Sequence, residues 1–368
     1  MSRRAAPKAN TGARSAEGSP VDAARGFIEL RAITRRFTSV PPLTERLASR
    51  LAGTRAKATV VHAVEDVSLA IAKGETLGLV GESGCGKSTL GRVAAGILQA
   101  TLGQALIEGT PVMAGGRKHT TRIQMVFQDP YASLNPRMRV GDIVSEGPLA
   151  HGLITRAEAE RDVLRWLEAV GMDAQAALRF PHQFSGGQRQ RVAIARALAM
   201  RPDALVCDEP VASLDVSIQA QIINLFLQLR RDLHLTMLFI SHDLSVVRHV
   251  SDRLAIMYLG RIVELGRTED IFRSPRHPYT RALLDSAPRL AAQGAPVQDI
   301  RPIQGELPSP INPPPGCAFH LRCTYAQARC KTELPRLQPA GEMREAACHY
   351  PLESPPQSSL ESERHEST

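Results

Sequence analysis

The sequence predicts an α/β fold, and three observations lead to this prediction. Residues 81–89 read G-E-S-G-C-G-K-S-T and match the pattern G-x-x-x-x-G-K-[ST] at every constrained position. An apolar run of strand length, residues 76–80, precedes this loop, and a segment of helical composition, residues 90–98, follows it. Further strand-length apolar runs downstream each end in a polar residue. The sequence therefore predicts the core of a phosphate-loop NTPase.

The glycine-rich loop supplies the groups that hold a nucleotide phosphate. Its glycines let backbone N–H groups face an anion, and the following helix adds the positive end of its dipole. Lys87 is predicted to reach the β- and γ-phosphates, and the Ser88 hydroxyl to bind Mg²⁺. A chance lysine in a glycine-rich turn is the alternative, which the flanking strand and helix disfavour. The loop residues predicted to bind the nucleotide are Gly81, Ser83, Gly84, Cys85, Gly86, Lys87, Ser88 and Thr89.

Composition and charge are those of a globular protein without a basic groove. The 368 residues are 43% hydrophobic and 22% charged, with no apolar run of the length that a membrane span needs and no secretory signal. We therefore expect a cytoplasmic polypeptide. The net charge of +8 comes from residues 1–60, which hold 12 Lys and Arg against 4 Asp and Glu, and the remainder carries 33 of each sign. This balance argues against a nucleic-acid partner, and residues 1–25 are predicted to be a disordered basic tail.

Further strands are predicted on both sides of the loop. Residues 27–33 alternate like an edge strand, and residues 60–71 form a second candidate, with a basic surface insert between them. After the phosphate loop, residues 105–107 and 122–127 are predicted strands, separated by a Gly115-Gly116 turn.

Four polar residues follow predicted strands of the core. Asp208 and Glu209 end one run, so Asp208 is placed to hold Mg²⁺ and Glu209 to act as general base or to orient water. Gln128 ends another run and can reach Mg²⁺ or the attacking water. His242 follows the run 236–240, at the strand end where ligands bind in open α/β sheets. Taken singly, Gln128 is a surface amide and His242 a structural imidazole, but their grouping around one phosphate loop favours a functional interpretation.

A second anion site is predicted about a hundred residues after the first. Residues 156–170 begin a helical stretch, and a helix pattern at 192–200 follows the segment F-S-G-G-Q-R-Q-R at 184–191. Ser185 is placed to cap that helix, and two glycines open its N-terminus to an anion. Asp215 lies in a tight loop before the next predicted helix, residues 218–230.

In this order the residues resemble the nucleotide-binding subunit of an ABC transporter, over roughly residues 27–272. Ser185, Gly186, Gly187 and Gln188 are similar to the signature motif that other phosphate-loop families lack. The resemblance implies a nucleotide-binding domain at 26–272, with an antiparallel β subdomain and a helical subdomain at about 129–200. It also implies that two such cassettes pack head to tail, so that ATP lies between Lys87 of one subunit and the signature of the other.

The resemblance also assigns roles to individual residues. It implies that Glu209 is the catalytic base, that Asp208 is the Mg²⁺ acid and that His242 contacts the γ-phosphate. Gln128 would contact Mg²⁺ and couple the site to the membrane subunit. Lys87 completes the set implied to be catalytic.

Two further assignments follow from the same resemblance. Asp215 corresponds to the loop that meets the opposing phosphate site. Phe37 is expected to stack on adenine, where the family more often has Tyr, and Phe184 opens the signature where Leu is commoner. Both substitutions keep an apolar contact.

Beyond Phe272 the composition shifts toward proline, and His277-Pro278-Tyr279 resembles the opening of the extension on ATPase subunits of dipeptide, oligopeptide and nickel importers. We expect this extension at 273–351 and a disordered tail at 352–368. Four cysteines in it are spaced C-x5-C-x6-C-x17-C, which in a cytoplasmic protein favours metal over disulfides. Zinc, an iron–sulfur cluster and four unligated thiols all remain open on spacing alone. The resemblance implies a [4Fe-4S] cluster on Cys317, Cys323, Cys330 and Cys348.

These observations predict an ATP-hydrolysing subunit that energises import of peptides or a related small solute. ATP and Mg²⁺ are the expected cofactors. The implied partners are a second ABC ATPase subunit, two integral-membrane permease subunits and, indirectly, an extracytoplasmic solute-binding protein. The chain would lie at the cytoplasmic face of the inner membrane. One alternative is a soluble ABC ATPase acting on nucleic acid or ribosomes; another, nucleotide binding without hydrolysis, is disfavoured because every catalytic position is filled.

Overall fold

The fold was determined as a computed structural model that describes residues 26–40, 42, 58–286 and 303–353. The predicted basic tail at 1–25, most of the basic insert before the second strand and the end of the chain from 354 lie outside the described residues. No helix of the described residues has the length and apolar character needed to cross a bilayer.

The chain alternates strands and helices, as the apolar runs predict. The strands are β1 (Ile28–Ser39), β2 (Thr59–Ile71), β3 (Thr76–Val80), β4 (Leu102–Ile107), β5 (Thr110–Pro111), β6 (Met113–Ala114), β7 (Arg117–Lys118), β8 (Ile123–Val126), β9 (Ala204–Asp208), β10 (Thr236–Ile240), β11 (Arg253–Tyr258), β12 (Arg261–Arg267), β13 (Gln338–Pro339) and β14 (Glu345–Ala346). The α-helices are α1 (Lys87–Ala94), α2 (Pro130–Ser133), α3 (Val140–Ala150), α4 (Arg156–Ala169), α5 (Gly186–Ala199), α6 (Val216–Leu233), α7 (Leu244–Val250), α8 (Thr268–Arg273), α9 (Pro278–Ser286) and α10 (Ala328–Thr332).

An eight-stranded sheet in the order β13-β14-β12-β11-β3-β10-β9-β8 forms the centre of the fold. Strands β8, β9, β10, β3 and β11 are parallel. Every residue of β3, β9 and β10 is buried, because both faces of these strands are covered. In β9, Ala204 and Val206 belong to the core beneath α1, whereas Leu205 and Cys207 belong to the core beneath α5 and α6. All the loops that follow the parallel strands therefore meet at one edge of the sheet.

A four-stranded antiparallel sheet, in the order β2-β1-β4-β5, packs over the other side of α1. The first strand was expected to be an edge strand, but β1 lies inside this sheet, between β2 and β4. The alternating residue types do not decide between an edge and an interior strand, because the pairing with β2 and β4 is a long-range contact, and Ile28, Glu29 and Leu30 are all buried. Strand β2 of this sheet is followed along the chain by β3, the strand of the central sheet that precedes the phosphate loop.

Helices α2 to α5 form a helical part between β8 and β9, and the subdomain bounds expected at about 129–200 stay a prediction. A capping box begins α4, where the Thr155 N–H donates to Glu158 at 2.8 Å. Gly171, with φ of 71°, follows the end of this helix, because glycine adopts the left-handed conformation at little cost. The chain then enters α5, which carries the second predicted anion site.

The C-terminal extension, described here at 273–286 and 303–353, is joined to the central sheet. Strand β14 pairs antiparallel with β12, so that Glu264 lies opposite Ala346. The Glu264 side chain is fully buried and accepts hydrogen bonds from the backbone N–H groups of Arg276 and His277 and from the guanidinium of Arg344. Since a buried carboxylate needs such donors, these bonds fix the extension against the core.

Candidate functional site: a nucleotide phosphate loop and the strand ends around it

The phosphate loop leaves β3 and enters α1 through glycines that no other residue could replace without strain. Gly84 and Gly86 have φ of 81° and 108°. A Cβ on Gly86 would lie 2.1 Å from the carbonyl oxygen of Ala63, and one on Gly81 would lie 2.2 Å from that of Met257. The loop is therefore packed closely against β11 and β2, and its shape is set by glycine.

Lys87 begins α1 and is buried, with 4% of its surface exposed. Its Nζ atom donates to the carbonyl oxygens of Gly81 at 2.8 Å and Glu82 at 3.0 Å. The ammonium group is thus held at the mouth of the loop by neutral acceptors rather than by a carboxylate. Such acceptors can be exchanged for phosphate oxygens, which bind an ammonium group more strongly.

Ser88 and Asp208 are brought together across the sheet edge. The Ser88 hydroxyl donates to the Asp208 carboxylate at 2.8 Å. Asp208 ends β9 and is 2% exposed, and this burial raises its pKa, against the hydrogen bond from Ser88 that lowers it. The two side chains together offer a hydroxyl and a carboxylate oxygen, the kind of donor set that Mg²⁺ takes.

Glu209 contacts the other two predicted strand-end residues. Gln128 Nε2 donates to Glu209 Oε2 at 3.0 Å, and His242 Nδ1 lies 3.3 Å from the same oxygen. Glu209 is 11% exposed and His242 53% exposed, so the contact lies at the solvent boundary of the site. Glu209 also has φ of 45°, a left-handed conformation that is rare for a residue with a side chain. The structure therefore groups Gln128, Glu209 and His242 beside Asp208.

The predicted signature lies at the N-terminus of α5. Ser185 caps this helix and accepts from the Gln188 N–H at 3.4 Å, while the Ser185 N–H donates to Gln188 Oε1 at 3.0 Å. Ser185, Gly186 and Gln188 are exposed, whereas Gly187 is buried. A Cβ on Gly187 would lie 2.4 Å from Ile218, so glycine here allows α5 and α6 to approach each other. An exposed helix N-terminus capped in this way can accept an anion from another molecule.

Asp215 and Phe37 lie at exposed positions. Asp215 precedes α6, and its carbonyl accepts from the backbone of Gln219 at 2.8 Å. Phe37 lies on β1 with 39% of its surface exposed, and the Arg35 guanidinium lies 4.6 Å from its ring centroid. The roles expected of these two residues stay predictions.

The expected iron–sulfur cluster is wrong. Within the described residues, no group of three or more His, Cys, Asp or Glu side chains is arranged to hold a metal ion. The four extension cysteines are free thiols that line one cavity with His277 and Phe319. Burial raises the pKa of the Cys317, Cys323 and Cys348 thiols.

Sequence reasoning missed one set of contacts to the phosphate loop. Glu82, the second residue of the loop, is bound through its carboxylate by Arg322 and through its N–H by the Tyr279 hydroxyl. Both partners belong to the C-terminal extension. The signal that could have suggested a cation partner is the carboxylate itself, because a negative side chain in a phosphate-binding loop opposes the ligand unless it is neutralised.

Known proteins resemble this chain along most of its length. The ABC transporter family matches residues 64–212, and the C-terminal region of oligopeptide/dipeptide transporters matches residues 263–330. The oligopeptide transport ATP-binding protein AppF of Bacillus subtilis (strain 168) is 46% identical over 328 residues, which cover 88% of this chain and 97% of that protein. The di/tripeptide transport ATP-binding protein DppF of Pseudomonas aeruginosa (strain UCBPP-PA14) is 47% identical over 294 residues, 79% and 90% of the two chains.

Solved structures agree with the fold. CbiO1 of Clostridium perfringens, part of the ABC transporter complex cbiONQ, has a TM-score of 0.54 at 25% identity, covering 68% of this chain and 91% of its own. The ATP-binding cassette MJ0796, in a dimeric post-hydrolysis state with ADP and Pi, has the same TM-score and identity over 66% of this chain and 98% of its own. The chain therefore belongs to the ABC transporter family, as one of its ATP-hydrolysing subunits.

Proposed function

We propose that this chain hydrolyses ATP to drive the import of peptides through separate membrane permease subunits. The observation that carries the catalytic part is the convergence of Glu209, Gln128 and His242 beside the Ser88–Asp208 pair at the edge of the sheet. Peptide cargo is supported by the relatives named for oligopeptide and di/tripeptide transport and by the match of the C-terminal region.

The proposed chemistry is mostly positioning and charge stabilisation. Lys87 exchanges the carbonyls of Gly81 and Glu82 for phosphate oxygens, and the loop N–H groups with the α1 N-terminus take up further charge. Ser88, Asp208 and Gln128 are the residues that would hold Mg²⁺, whose oxygen-ligand preference they fit. When bound, this ion neutralises charge on the phosphates.

Glu209 is proposed as the general base. Its carboxylate accepts the proton of the attacking water, while Gln128 and His242, which both contact its Oε2 atom, hold it in orientation. His242 is also the group proposed to contact the γ-phosphate, because its ring is half exposed at the boundary of the site. Hydrolysis removes the γ-phosphate, the group that the residues of this site are proposed to bind together.

The complete site is proposed to need a second cassette, either a copy of this chain or a paralogue. The exposed N-terminus of α5, with Ser185 and Gly186, is an anion site that projects from the helical part. We infer that it covers the phosphate loop of the partner cassette and that Asp215 meets the same loop. Phe37 would stack on the adenine. The dimeric state of the MJ0796 cassette supports this arrangement.

A permease is proposed to dock in the groove between the helical part and the central sheet. This groove of about 720 Å³ is lined by apolar residues such as Ile143 and Met200 and by the charged Arg196 and Glu146. Phe127 also lines it and is followed by Gln128, which contacts Glu209. A permease contact at Phe127 would therefore be transmitted through Gln128 to the Glu209 carboxylate. The chain would then lie at the cytoplasmic face of the membrane without spanning it.

The docking proposal is tested by filling the groove. Ala150 is exposed on α3 and lines the groove, and Ala157 is exposed on α4 away from it. We expect Ala150→Trp to abolish co-purification of the permease while the isolated chain keeps its ATPase activity, and Ala157→Trp to retain both the permease and the activity. Retention of the permease by Ala150→Trp would contradict the docking site.

The function itself is tested by identifying the partners in membranes. Glu209→Gln protein, isolated with ATP from detergent-solubilised cells, should co-purify with two integral-membrane proteins in stoichiometric amounts. Cells that lack this chain should lose uptake of labelled di- or oligopeptides, and the wild-type gene should restore it. Co-purification of ribosomes or nucleic acid in place of membrane proteins would contradict the proposal.

A further inference from the structure

Glu82 places a negative charge inside a loop that binds phosphate. The loop attracts anions through its glycine N–H groups, the α1 N-terminus and Lys87, and an unpaired carboxylate would act against all three. The Glu82 side chain is 26% exposed, so bulk solvent screens its charge only in part. A nucleotide site with this residue is expected to need a cation that neutralises it.

Arg322 of the C-terminal extension is that cation. Its Nη1 atom donates to both carboxylate oxygens of Glu82, at 2.9 and 3.1 Å, and its side chain is only 5% exposed. The guanidinium is fixed by two other contacts, because Nε donates to the Gln304 carbonyl at 3.1 Å and the group lies 6.0 Å from the ring centroid of Tyr258. A buried guanidinium held in this way is preorganised for the carboxylate.

Tyr279 reaches the backbone of the same residue. Its hydroxyl accepts from the Glu82 N–H at 3.0 Å, and its side chain is fully buried. The ring packs against Tyr258 and Phe319, with centroids 4.6 and 5.3 Å away, so the hydroxyl position is determined by an aromatic cluster. This cluster joins Tyr258 of β11 to Tyr279 and Phe319 of the C-terminal extension.

Glu82 in turn holds the catalytic lysine. The Glu82 carbonyl accepts from Lys87 Nζ at 3.0 Å and from the Cys85 N–H at 3.3 Å. The N–H and the carboxylate of Glu82 are therefore held by the extension, while its carbonyl faces Lys87 and the turn of the loop. A change at Arg322 or Tyr279 is transmitted to Lys87 through a single residue.

We propose that Arg322 and Tyr279 are positioning residues of the nucleotide site, through which the C-terminal extension neutralises Glu82 and fixes the phosphate loop in its binding conformation. The extension thereby sets the affinity of the core for nucleotide phosphate. The inference rests on residues 81–89 being the phosphate loop.

The charge part is tested by ADP binding to the full-length chain, measured by calorimetry. Arg322→Gln should weaken ADP binding by about tenfold, because the Glu82 carboxylate is left unpaired next to the phosphates. Adding Glu82→Gln to this variant should restore affinity to within about threefold of the original protein, since the repulsive charge is then gone. This rescue separates a charge effect from mere damage to the fold, which a second substitution would not repair.

The hydrogen bond from Glu82 is tested by Tyr279→Phe, which keeps the packed ring and removes only the acceptor. We expect the KM for ATP to rise by about fivefold with little change in kcat, because the loop N–H is left without its partner. Arg329→Gln, at an exposed extension arginine that pairs with Glu333, is the matched control and should leave both constants unchanged.

Three results would overturn the proposal. The first is an unchanged ADP affinity in Arg322→Gln, and the second is a loss that Glu82→Gln does not repair. The third is a fall of kcat rather than a rise of KM in Tyr279→Phe. Failure of the unaltered protein to bind ADP at all would instead overturn the assignment of the phosphate loop, and the proposal with it.

Discussion

Glu209 carries the largest share of the proposed chemistry, and its environment is unusual. It adopts φ of 45° directly after a buried strand, where its N–H donates to the Ile240 carbonyl at 3.0 Å. Holding a residue with a side chain in this region costs about 1 kcal/mol or more. The strand pairing of β9 with β10 imposes that conformation, and the carboxylate is thereby aimed at Gln128 and His242.

Replacement of the Glu209 carboxylate by an amide should stop hydrolysis without preventing binding. Glu209→Gln keeps the shape and loses the proton acceptor, so we expect kcat to fall by about 100-fold or more and the ATP dissociation constant to stay within about threefold. Steady-state turnover and equilibrium ATP binding of the same preparation measure the two effects. Normal turnover in this variant would reject Glu209 as the base.

Asp208, the carboxylate proposed to hold Mg²⁺, is buried at the end of β9. Burial raises the pKa of its carboxyl, so ionisation is less favourable in the folded than in the unfolded chain. Asp208→Asn should therefore raise the Tm of nucleotide-free protein in EDTA by about 1–2 °C at neutral pH. This gain should be lost as the pH falls toward about 4, where the carboxyl of both states becomes protonated.

The same variant should lose Mg²⁺-dependent ATP hydrolysis, which links the stability gain to the function. Thermal unfolding across a pH series, with ATPase activity in parallel, measures both. An Asp208→Asn protein that is less stable than the original at pH 7 would show that the carboxylate stabilises the free protein.

The positions of residues at the proposed nucleotide site were the part of the structure that could best be predicted from the sequence. Asp208, Glu209 and His242 each follow a short apolar run, and parallel strands bring such positions to one edge whatever the rest of the chain does. The contacts of Glu82 could not be predicted from the sequence, because its partners Arg322 and Tyr279 are about 200 or more positions away and no local pattern marks them. The expectation of an iron–sulfur cluster was wrong because resemblance and cysteine spacing do not report how the folded extension arranges the four side chains.

At the level of elements, β14 and the start of α9 attach the C-terminal extension to β12. Glu264 is fully buried on β12 and depends on donors from both segments, among them Arg344 at 2.7 Å. A buried carboxylate that loses its charged partner is strongly destabilising, because the remaining charge has neither water nor a counter-ion.

Arg344→Ala should lower the free energy of unfolding by about 3 kcal/mol. Arg329→Ala, which removes the exposed pair with Glu333, should cause no measurable change. Urea denaturation of the two variants gives the comparison. Equal stabilities would contradict the view that Glu264 anchors the extension.

The thiol cavity gives a second test at this scale. Burial raises the pKa of Cys348 to about 11, so iodoacetamide should label the native extension slowly at pH 7 and faster as the pH rises. Unfolded protein should label at all six cysteines. Thiols that become reactive in the native protein only after a chelator has been added would contradict their free state.

The secondary structure of the C-terminal extension could be predicted from the sequence only in part. The resemblance of His277-Pro278-Tyr279 predicts an extension from residue 273, a boundary that stays a prediction, and α9 starts at Pro278. Its strands, β13 and β14, are two residues long each, too short to produce an alternating pattern. Their pairing with β12 is a long-range contact, which becomes visible only in the folded chain.

At the scale of the whole molecule, the described residues form three hydrophobic cores around the central sheet. One lies beneath the helical part, one between the sheet, α1 and the antiparallel strands, and one between β11, α9 and the extension. The phosphate loop is packed between the last two, since it contacts β2 through Gly86 and the extension through Glu82. The loop is therefore supported from both sides, while the α5 N-terminus is left exposed for a partner.

The central claim is that ATP closes this chain against a second cassette through the α5 N-terminus. The most direct test is the molar mass of Glu209→Gln protein by light scattering with Mg²⁺ and either ATP or ADP. We predict 40.0 kDa with ADP and twice that mass with ATP, and a return to the monomer mass with ATP when Ser185→Arg is added. A dimer that survives Ser185→Arg would contradict the account, as would a mass that ATP changes neither for this chain alone nor for its mixture with a paralogous cassette.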